Sequence, residues 1–201
     1  MADTSVDITL TVNGEPVSER VDARKTLVDF LREDLGLTGS HVGCEHGVCG
    51  ACTVRVDGAI VRGCLMLAVQ CDGGKVETIE GLSDLGEIAD LQAAFEQRNA
   101  LQCGYCTPGM LVAAQDLLRR GGVPTRDEIR EHLSGNYCRC TGYHAIVDAV
   151  EAVAQARASS SSFRGASAAS EPGIQQSVSS LALDSGSGAS RRPGMTGNKS
   201  P

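Results

Sequence analysis

Nine cysteines punctuate this chain, and eight of them fall into two sets whose spacing suits metal chemistry. The first set is Cys44-x4-Cys49-x2-Cys52-x11-Cys64, inside GCEHGVCGACTVRVDGAIVRGC at residues 43–64. Its first three members carry the plant-type ferredoxin spacing, in which four thiolates hold a [2Fe–2S] cluster. Such a cluster needs four soft anionic ligands converging from one tight loop. Gly43, Gly47 and Gly50 stand beside the cysteines, where a wrapping backbone calls for positive φ and close approach. Structural zinc also takes four cysteines, but usually as two C-x2–4-C pairs. The C-x4-C-x2-C order therefore favours iron–sulfur over zinc, and disulfides rank last.

The second set is Cys103-x2-Cys106 with Cys138-x-Cys140. Each pair precedes the start of an expected helix, where free N–H groups and the dipole favour anionic ligands. Taken alone, this spacing leaves zinc open; beside a ferredoxin motif in the same chain, a second [2Fe–2S] cluster is the better reading. His41, His46, His132 and His144 have no metal-ligand spacing, and a Rieske centre would need two histidines replacing two cysteines. His46 reads as a neighbour of the first site. Cys71, the ninth cysteine, reads as a small buried hydrophobe.

The elements that must position these residues follow from the pattern of apolar residues. Ile8, Leu10 and Val12 alternate as a half-buried strand, Asn13-Gly14 is a two-residue hairpin turn, and residues 15–21 return. Thr26 caps a helix with Leu27, Phe30, Leu31 and Leu35 inward, and Gly36 ends it. Residues 53–62 form a hairpin about Asp57-Gly58, which brings Cys64 back to the other three cysteines, and residues 75–80 are a last strand. From Ser83 the period turns helical. Ser83 caps a first helix carrying Leu85, Ile88, Leu91 and Phe95, and Thr107-Pro108 opens a second that Gly121-Gly122 stop. Thr125-x-x-Glu128 is a capping box for a third, and Tyr143, Ile146, Val147, Val150 and Val153 mark a fourth. The fold class is α+β: an N-terminal β-grasp, ferredoxin-like domain at residues 1–81, then a four-helix-bundle domain at 82–157. Residues 158–201 hold 25 Ser, Gly or Ala among 44 and read as a disordered tail.

Composition narrows the function classes. Net charge is −7, which argues against a nucleic-acid partner. No apolar run approaches the ~18 residues of a membrane span, and residues 1–10 show no secretory leader. Cysteine-rich without export points to a reducing cytoplasm and metal binding. No Ser/His/Asp set, paired catalytic carboxylates or phosphate-gripping glycine loop appears.

Three motifs, CEHGVCGAC at 44–52, QCGYCTPG at 102–109 and GNYCRCTGY at 135–143, resemble those of the small iron–sulfur subunit of molybdenum hydroxylases. That is the xanthine dehydrogenase, aldehyde oxidoreductase and aerobic carbon monoxide dehydrogenase family, and the resemblance covers residues 5–157. It implies that Cys44, Cys49, Cys52 and Cys64 hold the cluster nearer the flavin. It likewise implies that Cys103, Cys106, Cys138 and Cys140 hold the cluster nearer the molybdenum cofactor. Gln102 is implied to contact the pterin of that cofactor, with Cys140 lying against the same pterin. The implied partners are a large molybdenum-cofactor subunit and a FAD-binding medium subunit or other acceptor. The small subunit would move electrons without touching substrate. An acceptor chain from molybdenum to flavin implies clusters less negative than the roughly −400 mV of plant-type ferredoxins. The alternatives are a free-standing two-cluster electron carrier and a zinc-stabilised interaction module.

Overall fold

Alternation, turn chemistry and capping build the first half of the molecule as the sequence leads one to expect. The computed structural model describes residues 4–165, which lie within one compact unit. Strands β1 (Ser5–Val12) and β2 (Glu15–Asp22) pair antiparallel from Ser5↔Asp22 to Val12↔Glu15. Asn13 and Gly14 have φ of 52° and 89°, the double positive pair of a tight hairpin. Strands β3 (Thr53–Val56) and β4 (Ala59–Arg62) form the second hairpin, with Asp57 and Gly58 at 49° and 85°. β5 (Lys75–Glu77) runs parallel to β1 and antiparallel to β3, giving the order β2-β1-β5-β3-β4. A mixed sheet with its last strand inserted at the centre is the β-grasp arrangement.

One face of this sheet buries Ile8, Leu10, Val54, Val56 and Val76 against Leu27, Phe30 and Leu31. Those three residues come from α1 (Leu27–Asp29) and the π-helical turn that continues it, Phe30–Asp34. Thr26 caps as expected, its Oγ1 accepting the Asp29 N–H at 3.2 Å. The expected single α-helix instead widens by one residue, Leu35 N–H bonding Phe30 O at 3.2 Å. Gly36, at φ 69°, then closes the end with a Leu37 N–H to Leu31 O bond of 2.8 Å.

The helical half differs from expectation at its start. α2 (Ile79–Asp84) and α3 (Ala89–Gln97) replace the single first helix. Gly86, at φ 71°, breaks the run, and the Glu87 N–H closes back on Leu82 O. Ser83 therefore lies inside α2 rather than capping a helix, and Leu85 is exposed. The expected domain boundary at 81–82 also falls within α2. α4 (Thr107–Arg119) starts with Cys106 at its N-cap and proline in its first turn. α5 (Arg126–Leu133) carries the full Thr125–Glu128 capping box. α6 (His144–Gly165) continues past the expected tail boundary at residue 158; the rest of that segment, from 166 on, lies outside the described residues. Leu91, Phe95, Met110, Ile129, Leu133, Ile146 and Val150 fill the core of this bundle. α4 packs against β3 and β4, so all four β3 residues are buried.

Candidate functional site

The first cysteine set sits on a loop that backbone conformation bends into a cradle. Glu45, Gly47 and Gly50 have φ of 56°, 83° and 72°. This curvature turns N–H groups toward sulfur, and the Cys49 N–H lies 3.4 Å from Cys44 Sγ. The Cys49 donor, aided by the N–H groups of His46 and Val48, holds the Cys44 thiol down to about 6. At the other end Cys52 and Cys64 pack together with Val28, because the β3–β4 hairpin returns the Gly63 N–H to Cys52 O at 3.1 Å. Burial pushes the Cys52 thiol up to about 11.

The second set occupies two connections at one end of the bundle. Cys103 and Cys106 lie between α3 and α4, and Cys138 and Cys140 between α5 and α6. Cys103 Sγ and Cys140 Sγ are 3.5 Å apart, and Cys106 and Cys138, both half-buried, pack against the helical core. Burial pushes Cys106 up to about 12, whereas the Tyr105 N–H lowers the exposed Cys103. Burial works to raise Cys138 as well, but the Thr141 hydroxyl and the N–H groups of Cys140 and Thr141 outweigh it. Thr141 Oγ1 donates to Cys138 Sγ at 3.0 Å, and the Cys138 N–H donates to Tyr143 Oη at 2.8 Å. Gln102, exposed, donates from Nε2 to Cys140 O at 3.1 Å, so the two residues expected at the pterin are neighbours.

Each set offers four thiols, two for each iron of a [2Fe–2S] cluster. The donors are soft sulfur cradled by N–H groups, which fits a [2Fe–2S] cluster at each site. His46 is exposed, its Nδ1 against Cys44 O, and His132 is held by Ala113 O at 3.0 Å, away from either set. Cys71 is buried among Val54, Val76 and Ala68, as its lone spacing suggested.

Pattern reading did not reveal what joins the two sets. The Tyr137 N–H donates to Cys49 O at 2.8 Å, linking one cysteine directly to the neighbour of Cys138. Asn136, buried, donates from Nδ2 to Gly50 O at 3.1 Å. The Tyr105 hydroxyl donates to Val42 O at 2.7 Å, and its ring stacks on His41 at 4.5 Å. Gly109, in the first turn of α4, has no room for a side chain: a Cβ there would stand 2.3 Å from Gly50 O. Alanine ordinarily stabilises a helix over glycine by about 1 kcal/mol. Gly109→Ala should reverse that sign and destabilise by about 1–3 kcal/mol, since two backbones must separate. Thermal unfolding checks it; an unchanged or raised Tm would mean that α4 does not dock on the first loop.

The fold and its two paired thiol sites define a two-cluster iron–sulfur protein. Residues 10–75 match the family model for a 2Fe-2S iron-sulfur cluster binding domain, and residues 78–151 match that for a [2Fe-2S] binding domain. The nicotine 6-hydroxylase small subunit of Paenarthrobacter nicotinovorans is 56% identical over 145 residues, covering 72% of this chain and 87% of that protein. The caffeine dehydrogenase subunit gamma of Pseudomonas sp. (strain CBB1) is 51% identical, covering 73% of this chain and 89% of its own. A crystal structure of quinoline 2-oxidoreductase from Pseudomonas putida 86 superposes with a TM-score of 0.74 at 49% identity, covering 79% of this chain and 98% of that one. This chain belongs to the family of small [2Fe–2S] subunits of the molybdenum hydroxylases. Among the described residues no helix is long and apolar enough to cross a membrane.

Proposed function

We propose that this chain relays electrons from a molybdenum-cofactor hydroxylase subunit to a FAD-binding subunit or other acceptor. In this reading Cys44, Cys49, Cys52 and Cys64 hold one cluster, and Cys103, Cys106, Cys138 and Cys140 hold the other. The single observation that supports it most is the Tyr137 N–H to Cys49 O bond of 2.8 Å, which joins the first cysteine loop to the residue before Cys138. When bound, the clusters supply one-electron carriage. The protein's part is to hold eight thiolates in two cradles, exclude water around Cys52 and Cys64, and present one end to each partner. Gln102 and Cys140 form the end toward the molybdenum cofactor, and the loop about Cys44 forms the end toward flavin. Two modules joined through α2, then a Ser/Gly/Ala-rich segment after α6, complete the domain plan. A chain this rich in cysteine, with its sets suited to metal rather than disulfides, supports a reducing, cytoplasmic setting. A free-standing carrier is not favoured, because the similar proteins are named as subunits of larger enzymes.

EPR of the dithionite-reduced protein, purified anaerobically with whatever stays bound, tests this together with metal analysis. The expected outcome is two S = 1/2 signals, about four iron per chain and co-eluting molybdenum. Two signals without molybdenum would support the free carrier, and one signal plus zinc would overturn the second ligand set. A finer test concerns Thr141, whose hydroxyl donates to Cys138 Sγ. Hydrogen bonds to cluster sulfur raise the reduction potential. Thr141→Val should therefore lower the potential of that cluster alone, by on the order of 40 mV for ~1 kcal/mol of lost differential bonding. Thr141→Ser should leave it near wild type, and equal potentials in all three proteins would remove Thr141 from the tuning set.

A further inference from the structure

Arg62, the last residue of β4, lies in the seam between the two cysteine-bearing loops. Its Nη1 donates to Thr53 Oγ1 at 2.6 Å and its Nη2 to Gly135 O at 2.8 Å, with Asn136 Oδ1 at 3.5 Å. Thr53 follows Cys52, Gly135 stands three residues before Cys138, and Arg62 itself is two residues from Cys64. One guanidinium thus ties the neighbours of three cysteines drawn from both sets. Asn136 Nδ2 completes the ring by donating to Gly50 O and, at 3.3 Å, to Thr53 Oγ1.

Every acceptor of Arg62 is neutral. Several other arginines here meet carboxylates: Arg55 pairs with Glu77, Arg126 with Asp148 and Glu151, and Arg157 with Asp90, while Arg32 bonds the Thr38 and Ser40 carbonyls. Among the described residues no carboxylate pairs with Arg62, which is only partly exposed, so its positive field is neither cancelled nor fully screened. A glutamine could satisfy some of these acceptors; what arginine adds is a rigid fork and a permanent charge.

We propose that Arg62 is a positioning residue for electron transfer between the clusters, its fork fixing their separation and its unpaired charge raising both potentials. The inference rests on the ligand sets given under Proposed function. Each reduction adds one electron, from dithionite in a titration, and with it one negative charge to a site already anionic. A fixed cation between the sites stabilises the reduced form of each.

The test is an EPR-monitored redox titration of the complex carrying wild-type chain, Arg62→Gln or Arg62→Lys. Arg62→Gln should weaken the reduction equilibrium of both clusters about tenfold, about 59 mV for a one-electron couple. Arg62→Lys keeps the charge without the fork. It should restore most of the potential, while the magnetic splitting between the two reduced clusters, which reads their separation, stays altered. Wild-type protein lacking two iron–sulfur signals would overturn the ligand reading itself. With both signals present, a change under about twofold in Arg62→Gln would overturn the electrostatic role. Should Arg62→Gln fail to load, Arg62→Lys still decides, because an unchanged splitting there would overturn the positioning role.

Discussion

Replacing Cys138 by serine is expected to remove one cluster and leave the other, halving the iron from about four to about two per chain. Serine offers a hard, neutral hydroxyl where a soft thiolate is needed, so the iron it faces loses a ligand. The loss should be local because each set is carried by its own core. The sheet and α1 enclose Ile8, Phe30, Val54 and Val76, while the helices enclose Phe95, Met110, Ile129 and Val150. Cys44→Ser should do the reverse, emptying the first site while the bundle stays folded. Cys138→Ser should in addition weaken attachment of the molybdenum subunit, since Cys138 and Cys140 share the connection that Gln102 touches. Iron analysis and EPR of both variants check this. If either substitution emptied both sites, the two modules would be one cooperative metal-binding unit. The Cys49–Tyr137 bond would then be its coupling.

Much of this architecture was legible in the sequence because local chemistry agrees with the fold. Asn13-Gly14 and Asp57-Gly58 specify hairpins whatever surrounds them, and the Thr125–Glu128 capping box specifies a helix start. The metal motifs are equally local, since a ferredoxin spacing fixes four sulfurs within one loop and one hairpin. What stayed hidden is what depends on three-dimensional contact. Leu85 has the right spacing for a buried helix face, yet Gly86 breaks the run before it can join α3, and Leu85 turns outward. The seam between the modules is hidden for the same reason. Arg62, Asn136, Gly109 and Tyr105 have no spacing relation to one another, and only the docking of α4 on β3 and β4 brings them together. Asn136 and Gly109 do lie inside cysteine motifs, which marks them as near the site without saying what they hold.

Arg55 poses the sharpest energetic question in the molecule. It sits mid-strand in β3 with a fully buried side chain, where alternation calls for an apolar or small polar residue. Its Nη1 donates to Glu77 Oε2 at 3.1 Å, and its Nε and Nη2 have no hydrogen-bond partner. Glu77 is the cross-strand partner in β5, so the sheet register itself sets the pair. Desolvating a guanidinium is costly, and Glu77 is the group that compensates its charge. Glu77→Gln should therefore destabilise by about 3 kcal/mol, toward the lower end for a broken buried pair because the Glu77 side chain is 32% exposed. For a chain of this size that is a Tm loss of roughly 6–12 °C. Arg55→Met with Glu77→Gln removes the charge and its counterion together, filling similar volume with apolar atoms. The double variant should recover most of the loss and could exceed wild type, since it also removes two unsatisfied donors. A double-mutant cycle by thermal or denaturant unfolding reads the coupling. Additive effects of the two substitutions would show that the Arg55 charge is compensated by something other than Glu77.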